Sequence, residues 1–268
     1  MLVNGSPSNV ISICDRGFLY GDGVFRTLRV TNGQAQHWLL HYQKLQQDCA
    51  AIAIACPDFA LLSAELENLL RNQTDCAIKL IVTRGISTRG YAPSTQTTPT
   101  HIWDVAPLPD YPAAWATHGI KARLCQLRLS QQPRLAGIKH LNRLENVLAA
   151  GEWNDAEIAE GLLMDTDGNV IEGVRSNLFS VLNGTLVTPS LLACGVAGVQ
   201  RERVIGWANS NKVPLEIRAM SWDEVINADE LFIVNSLNGV WPIRELEQRH
   251  WKEFTMTRRV QLELGEMQ

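Results

Sequence analysis

Two Asn-Gly pairs, Asn32-Gly33 and Asn183-Gly184, constrain this chain more than any other feature. Each separates two strand-like runs: FRTLRV from QAQHWLL, and NLFSVL from TLVTPS. Asn and Gly tolerate the positive φ angles of a tight two-residue turn, so each pair predicts a hairpin. Around these hairpins the periodicity changes. Helical spacing runs from Leu39 to Ile54, and Pro57 opens a second helix with Leu61, Leu62, Leu66, Leu69 and Leu70 on one side. CAIKLIVTR (76–84) and HIWDVAPL (101–108) read as strands, and the polar segment between them, rich in Gly, Ser, Thr and Pro, reads as a loop.

Pro107, Pro109 and Pro112 punctuate a domain boundary, which divides the chain into a smaller domain at 1–115 and a larger one at 116–268. In the second half, 119–129 predicts a strand and LNRLENVLAAGEWNDA (141–156) a helix. GLLMD and NVIEG flank the turn TDG. VQRERVIGWANSN predicts a helix, ELFIVNS a strand, and the last 20 or so residues a helix. Strands, helices and hairpins mixed in this way predict a two-domain α/β (α+β) class.

Composition excludes several function classes. Of the 268 residues 19% are charged, and the net charge of -4 lacks the basic footprint of a nucleic-acid binder. The N-terminus lacks a signal-peptide layout, and no apolar run approaches the roughly 18 residues of a membrane span, so no membrane role is expected. The six cysteines are scattered, without zinc-ligand spacing. They read as reduced thiols of a cytoplasmic protein with no metal.

Four stretches could carry chemistry. In LAGIKHLNRLENVLAA (135–150) Lys139 stands at the lip of what reads as a buried helix, after the flexible Ala136-Gly137 pair. Either its ammonium is solvated or its amine reacts; reaction requires the neutral form, which burial and nearby positive charge favour. In VIEGVRSNLF (170–179) Glu172 ends a strand and either lies in solvent or points into a cleft. CGVAGVQRE (194–202) is either an ordinary turn or a glycine-rich lead into a helix whose first amides hold an anion. DRGFLYGDG packs Asp15, Arg16, Tyr20 and Asp22 into what reads as one non-helical stretch.

DRGFLYGDGVF, then IKHLNRLE, then IEGVRSNLF, in that order, resemble the fold-type IV pyridoxal-phosphate enzymes. That group contains the branched-chain and D-amino-acid aminotransferases (the D-amino-acid aminotransferase-like fold) and aminodeoxychorismate lyase. AGIKHLNRLE is similar to the lyase members rather than to the aminotransferases. The resemblance implies pyridoxal 5'-phosphate as cofactor, with Lys139, in the second domain, as the catalytic lysine that holds it and moves protons. It implies Glu172 beside the pyridine nitrogen, and Gly198, Val199 and Gln200 around the phosphate. Ser236 is implied near the phosphate and the substrate carboxylate.

The resemblance further implies a small-molecule substrate, an active site between the two domains, and a homodimer. The implied reaction converts 4-amino-4-deoxychorismate to 4-aminobenzoate and pyruvate; transfer of an amino group from a D- or branched-chain amino acid is the alternative. The substrate's two carboxylates call for cations, and Arg89, with Tyr91 beside it, and Arg29 are the candidates, with Arg84 a further one. Two positions depart from the family pattern. Lys44 stands where relatives usually place a phosphate-binding arginine; it keeps the charge but lacks the planar fork that grips an anion with two bonds. Arg26 stands where many relatives carry an acidic or small residue.

Overall fold

The computed structural model describes residues 1–87, 90–94 and 97–265. The chain divides into two compact units: Met1–Pro109 with Ile138–Asn142, and Asp110–Gly137 with Arg143–Gln268. The first cut thus falls six residues before the 115/116 boundary. The five residues around Lys139 belong to the first unit and not, as expected, to the second.

In the first unit β1 (Leu2–Val3), β2 (Ser6–Pro7), β3 (Gly23–Thr31), β4 (Gln34–Ala35), β5 (Cys76–Thr83) and β6 (Thr100–Ala106) form an antiparallel sheet in the order β2-β1-β6-β5-β3-β4. Along β3 the residues Val24, Arg26, Leu28 and Val30 are buried and the intervening ones less so, the period-two pattern of a strand with one covered face. Val24 and Val30 share a core with Leu45 and Cys49 of helix α2 (Trp38–Ala51), Leu62 and Leu66 of α3 (Phe59–Leu70), and Trp103 of β6. The Asn32-Gly33 turn has φ of 52° and 72°, as a two-residue hairpin with two positive φ angles requires.

The DRGFLYGDG stretch is helical where the sequence suggested otherwise. Arg16–Tyr20 form a short helix, α1. Asp15 caps it by accepting Gly17 N–H at 2.8 Å, and Gly21 ends it in the left-handed region. Asp22 then accepts from Arg16 Nε (2.7 Å) and from Arg84 Nε (2.8 Å) and Nη2 (3.0 Å), so one carboxylate ties the motif to the end of β5.

The second unit holds a nine-stranded sheet. Its strands are β7 (Ile120–Leu129), β8 (Ile158–Asp165), β9 (Val170–Gly173), β10 (Asn177–Leu182), β11 (Thr185–Pro189), β12 (Leu215–Arg218), β13 (Glu230–Asn235), β14 (Gly239–Leu246) and β15 (Arg249–His250). The order is β12-β11-β10-β13-β14-β7-β8-β9, with β15 beside β14. Strand β9 also pairs with β10, Glu172 opposite Asn177, which closes β10, β13, β14, β7, β8 and β9 into a ring. Closure gives the strands of the ring a neighbour on both sides, while β12 and β15 stay outside it. Helices α4 (Ala114–His118), α5 (Leu144–Ala150), α6 (Val199–Ser210), α7 (Trp222–Ile226) and α8 (Thr255–Glu263) complete the unit.

Several expectations change in the second half. The helix expected over 141–156 shrinks to Leu144–Ala150, because Leu141 N–H is engaged by Gly23 O of β3 at 2.9 Å. The expected C-terminal helix shrinks to Thr255–Glu263, because Leu246–His250 turn back as the β14–β15 hairpin. Strand β14 went unread: Pro242 lies opposite Phe232 inside the sheet, where proline normally argues against a strand.

The Asp22 hub sets an expectation for acid stability. Burial raises the Asp22 pKa, but the hydrogen bonds from Arg84 and Arg16 outweigh it and hold the carboxyl below its ordinary 3.8. A carboxyl depressed on folding stabilises fully above its unfolded value, and the contribution is lost as pH falls through the folded value. Asp22→Asn is therefore expected to melt below wild type at pH 7, with the gap closing below about pH 3.8. Melting curves from pH 7 to pH 2 with a constant gap would sink this account.

Candidate active site

Lys139 lies in an extended segment, not at the start of a helix. Gly137, at φ 78°, turns the chain, and residues 139–141 pair with the first residues of β3. Phe25 N–H donates to Lys139 O at 2.9 Å, Leu141 N–H donates to Gly23 O at 2.9 Å, and Val24 faces His140. Pairing to a strand uses the backbone groups that a helix would need, so α5 starts only at Leu144. The Lys139 ammonium nitrogen lies 4.6 Å from the centre of the Phe25 ring, over a face that attracts cations. Asn142 fills the space above Gly21, where a Cβ would collide with its amide, and its Nδ2 donates to Gly21 O at 3.2 Å.

Beside this segment lies Asp48 of α2, 1% exposed. Its Oδ2 accepts Lys139 N–H at 3.0 Å and also pairs with the Arg26 guanidinium. Its Oδ1 stands 3.4 Å from Lys44 Nζ, one helical turn away. The first unit therefore brings Lys139, Lys44 and Arg26 together on one carboxylate. Arg29 is also on β3, three residues beyond Arg26, and is half-buried. Tyr91 is 86% exposed, with its ring 5.4 Å from that of Tyr20. Arg89 lies outside the described residues. Arg84, the further candidate, is committed to Asp22 and to the carbonyls of Ile52 and Ala53.

The second unit holds Glu172. Glu172 sits on β9, 3% exposed, and its Oε2 accepts Val196 N–H at 2.8 Å and Asn177 Nδ2 at 3.4 Å. Asn177 Nδ2 also donates to Val196 O at 2.7 Å, and its Oδ1 accepts Gly198 N–H at 3.2 Å. One amide thus links the carboxylate, the glycine loop and the start of α6. The turn after Glu172 needs its glycine, since a Cβ at Gly173 would collide with Ser176 Oγ and crowd Glu160. The same loop holds Gly137: Gly137 N–H donates to Gly195 O at 2.9 Å and Ala197 N–H to Gly137 O at 3.0 Å, two residues before Lys139 in the chain. Burial first, then the nearby Asp165, Glu172 and Glu145 carboxylates, push the Cys194 thiol up to about 12, so it stays protonated beside the loop.

The start of α6 fits an anionic group. Gly198 is its N-cap and supplies no side-chain cap, and the first backbone amides of a helix are the donors that phosphates use. Arg201 adds a buried guanidinium in that first turn; it pairs with Glu202 at 3.2 Å and donates to Pro189 O at 3.1 Å, and its Nε has no hydrogen-bond partner among the described residues. A carboxylate, an uncapped helix start and a buried guanidinium in one unit match the pyridine nitrogen and phosphate of pyridoxal phosphate. Ser236 lies in the β13–β14 turn, two residues beyond Val234, which faces Asn177. That turn is fixed by Asn235 Oδ1, which accepts Leu237 and Asn238 N–H at 2.9 Å each.

Sequence reasoning assigned no role to Asp48, Asn177 or Arg201. Asp48 had one usable signal, its spacing of four residues from Lys44. Asn177 had none, because its partners come from β9 and the 195–198 loop; Arg201 pairs with its neighbour Glu202, but its contact with Pro189 of β11 is long-range.

Residues 23–246 match the family described as Amino-transferase class IV. The chain is 34% identical to an aminodeoxychorismate lyase of Vibrio harveyi over 242 residues, 90% of this chain and 89% of that one. Its structure is similar to the crystal structure of 4-amino-4-deoxychorismate lyase from Pseudomonas aeruginosa, with a TM-score of 0.95 and 45% identity, covering 99% of this chain and 98% of that one. A PLP-bound hypothetical aminotransferase from Mycobacterium tuberculosis shares the fold at a TM-score of 0.83 and 19% identity, over 97% of this chain and 93% of that one.

The Asn177 linkage generates a test. A Cβ at residue 198 would drive into the Oδ1 of Asn177, whose amide is held by hydrogen bonds at both Nδ2 and Oδ1. Gly198→Ala is expected to cost about 1–3 kcal/mol in urea unfolding, the usual penalty for overpacking. Wild-type stability in this variant would show that the Asn177 amide yields freely.

Proposed function

The chain belongs to the Amino-transferase class IV family, and from that premise we propose that it is an aminodeoxychorismate lyase working with pyridoxal 5'-phosphate. It converts 4-amino-4-deoxychorismate to 4-aminobenzoate and pyruvate, a step in folate biosynthesis. The observation that carries this choice within the family is the 45% identity to the Pseudomonas aeruginosa lyase over 99% of the chain. The fit of Glu172, the α6 start and Arg201 to the cofactor's two polar ends supports the cofactor assignment.

Bound pyridoxal phosphate supplies an electron sink for the carbon that carries the substrate's amine. Lys139 would hold the cofactor through Nζ, and its amine, once free, would take the proton from that carbon. Glu172 would keep a proton on the pyridine nitrogen, which would sustain the sink. Gly198, Val199 and Gln200 donate to the phosphate, and Lys44 and Ser236 are assigned to the same end. The enolpyruvyl oxygen departs with its bonding pair, and protonation of the released fragment gives pyruvate. The ring that remains is aromatic, so elimination is strongly downhill, and the protein chiefly positions groups and stabilises charge. Arg89, Tyr91 and Arg29 are assigned to the substrate carboxylates.

We assign a homodimer and a cytoplasmic location on the same reading. Leu144, Val147 and Leu148 form an apolar stripe at spacings of three and four on α5, and each is more than half exposed. In the first unit Val10, Ile13 and Phe18 are exposed as well. Surfaces of this kind call for cover by a second copy. All six cysteines are free, which suits a reducing compartment.

Purified protein given 4-amino-4-deoxychorismate, with no keto acid, is expected to release pyruvate over many turnovers. No pyruvate, together with brisk amino transfer from D- or branched-chain amino acids, would replace the lyase by an aminotransferase. Lys139→Ala is expected to lose both the visible absorption of the bound cofactor and turnover; a variant retaining both would remove Lys139 from its role.

A further inference from the structure

We propose that Asp48 is a positioning residue for Lys139: its buried carboxylate, with Arg26 and Lys44 as counter-ions, fixes the backbone from which the reactive amine is presented. The proposal rests on Lys139 being the cofactor lysine.

Three donors from three segments converge on this carboxylate: the Arg26 guanidinium from β3, the Lys44 ammonium at 3.4 Å from α2, and the Lys139 backbone N–H at 3.0 Å. A carboxylate 1% exposed persists only when it is paired and hydrogen-bonded. Arg26 supplies the pairing at considerable cost to itself, since it is 2% exposed and its Nε has no hydrogen-bond partner among the described residues. It also donates to Lys44 O at 3.3 Å, which ties it to the same turn of α2.

What separates Asp48 from an ordinary buried ion pair is its bond to Lys139. The pairing with β3 uses the Lys139 carbonyl, which accepts from Phe25 N–H. The other backbone polar group of Lys139 goes to Asp48. With both groups held, the Cα of Lys139 is fixed between β3 and α2, and the amine is reached from a defined origin through four methylenes. Small misplacements of a reacting group are expensive in rate, so an acceptor at this point acts on the chemistry as well as on the fold.

Two double variants isolate that bond. Arg26→Met/Asp48→Leu removes the ion pair and the acceptor together. Arg26→Met/Asp48→Asn removes the same charges but leaves an amide oxygen for Lys139 N–H. Replacing a whole buried ion pair by apolar or neutral groups is commonly tolerated, whereas removing one partner is not. With pyridoxal phosphate added to the full chain, the visible band is expected to grow about tenfold more slowly in the Leu double than in the Asn double. The kcat for pyruvate release is expected to fall in the same ratio, with KM nearly equal in the two. Equal rates in the two doubles would overturn the proposal. Amide hydrogen exchange in the wild-type holoenzyme bears on it without relying on either variant's folding: protection of the Lys139 amide is expected, and exchange at the unfolded rate would overturn it. Borohydride reduction and peptide mapping of the wild type tell the two readings apart. A label on Lys139 with equal doubles defeats the Asp48 proposal alone; a label elsewhere defeats the Lys139 reading and this proposal with it.

Discussion

The backbone of Lys139 is held on both sides, its carbonyl by Phe25 of β3 and its N–H by Asp48 of α2. Much of the first unit is arranged around that constraint. It turns a segment with helical composition into an extended one, and it delays α5 to Leu144. It brings a carboxylate into an apolar core, and that carboxylate in turn requires Arg26 on β3 and Lys44 on α2. Gly21 sits in the left-handed region, and Asn142, at the end of the same segment, occupies the space a Cβ there would take.

The two departures from the family pattern, Arg26 and Lys44, looked independent in the sequence. They are one electrostatic arrangement, since both are counter-ions of Asp48. A negative charge buried among apolar side chains is stable only in such company. This also changes how Lys44 is to be understood. A lysine shared with a buried carboxylate is not simply an arginine with a weaker grip on phosphate; part of its charge is spoken for by Asp48.

In the second unit the organising contact is the register that sets Glu172 opposite Asn177 and closes the ring of strands. Closure places the carboxylate next to the amide that holds Val196 and Gly198. Glu172 and the start of α6 are therefore linked through one side chain.

Local signals sufficed for much of this. The Asn-Gly turns with their positive φ angles, the alternation along β3, and the order of the three motifs were legible because each depends on residues near one another in the chain. The mixed α/β class and the family followed from them. Legibility failed where long-range pairing overruled local preference: the extended conformation of Lys139, the short helix in DRGFLYGDG, and β14 with its internal proline. The roles of Asp48, Asn177 and Arg201 were invisible for the same reason. A carboxylate, an amide and a guanidinium are ordinary residues until the partners that desolvate and bind them arrive from other elements. The sequence by itself determined which residues were available for the chemistry, because side-chain type is a local property. Only the tertiary structure decided how they are held, because the hydrogen bonds that hold them join residues as far apart as Asp48 and Lys139.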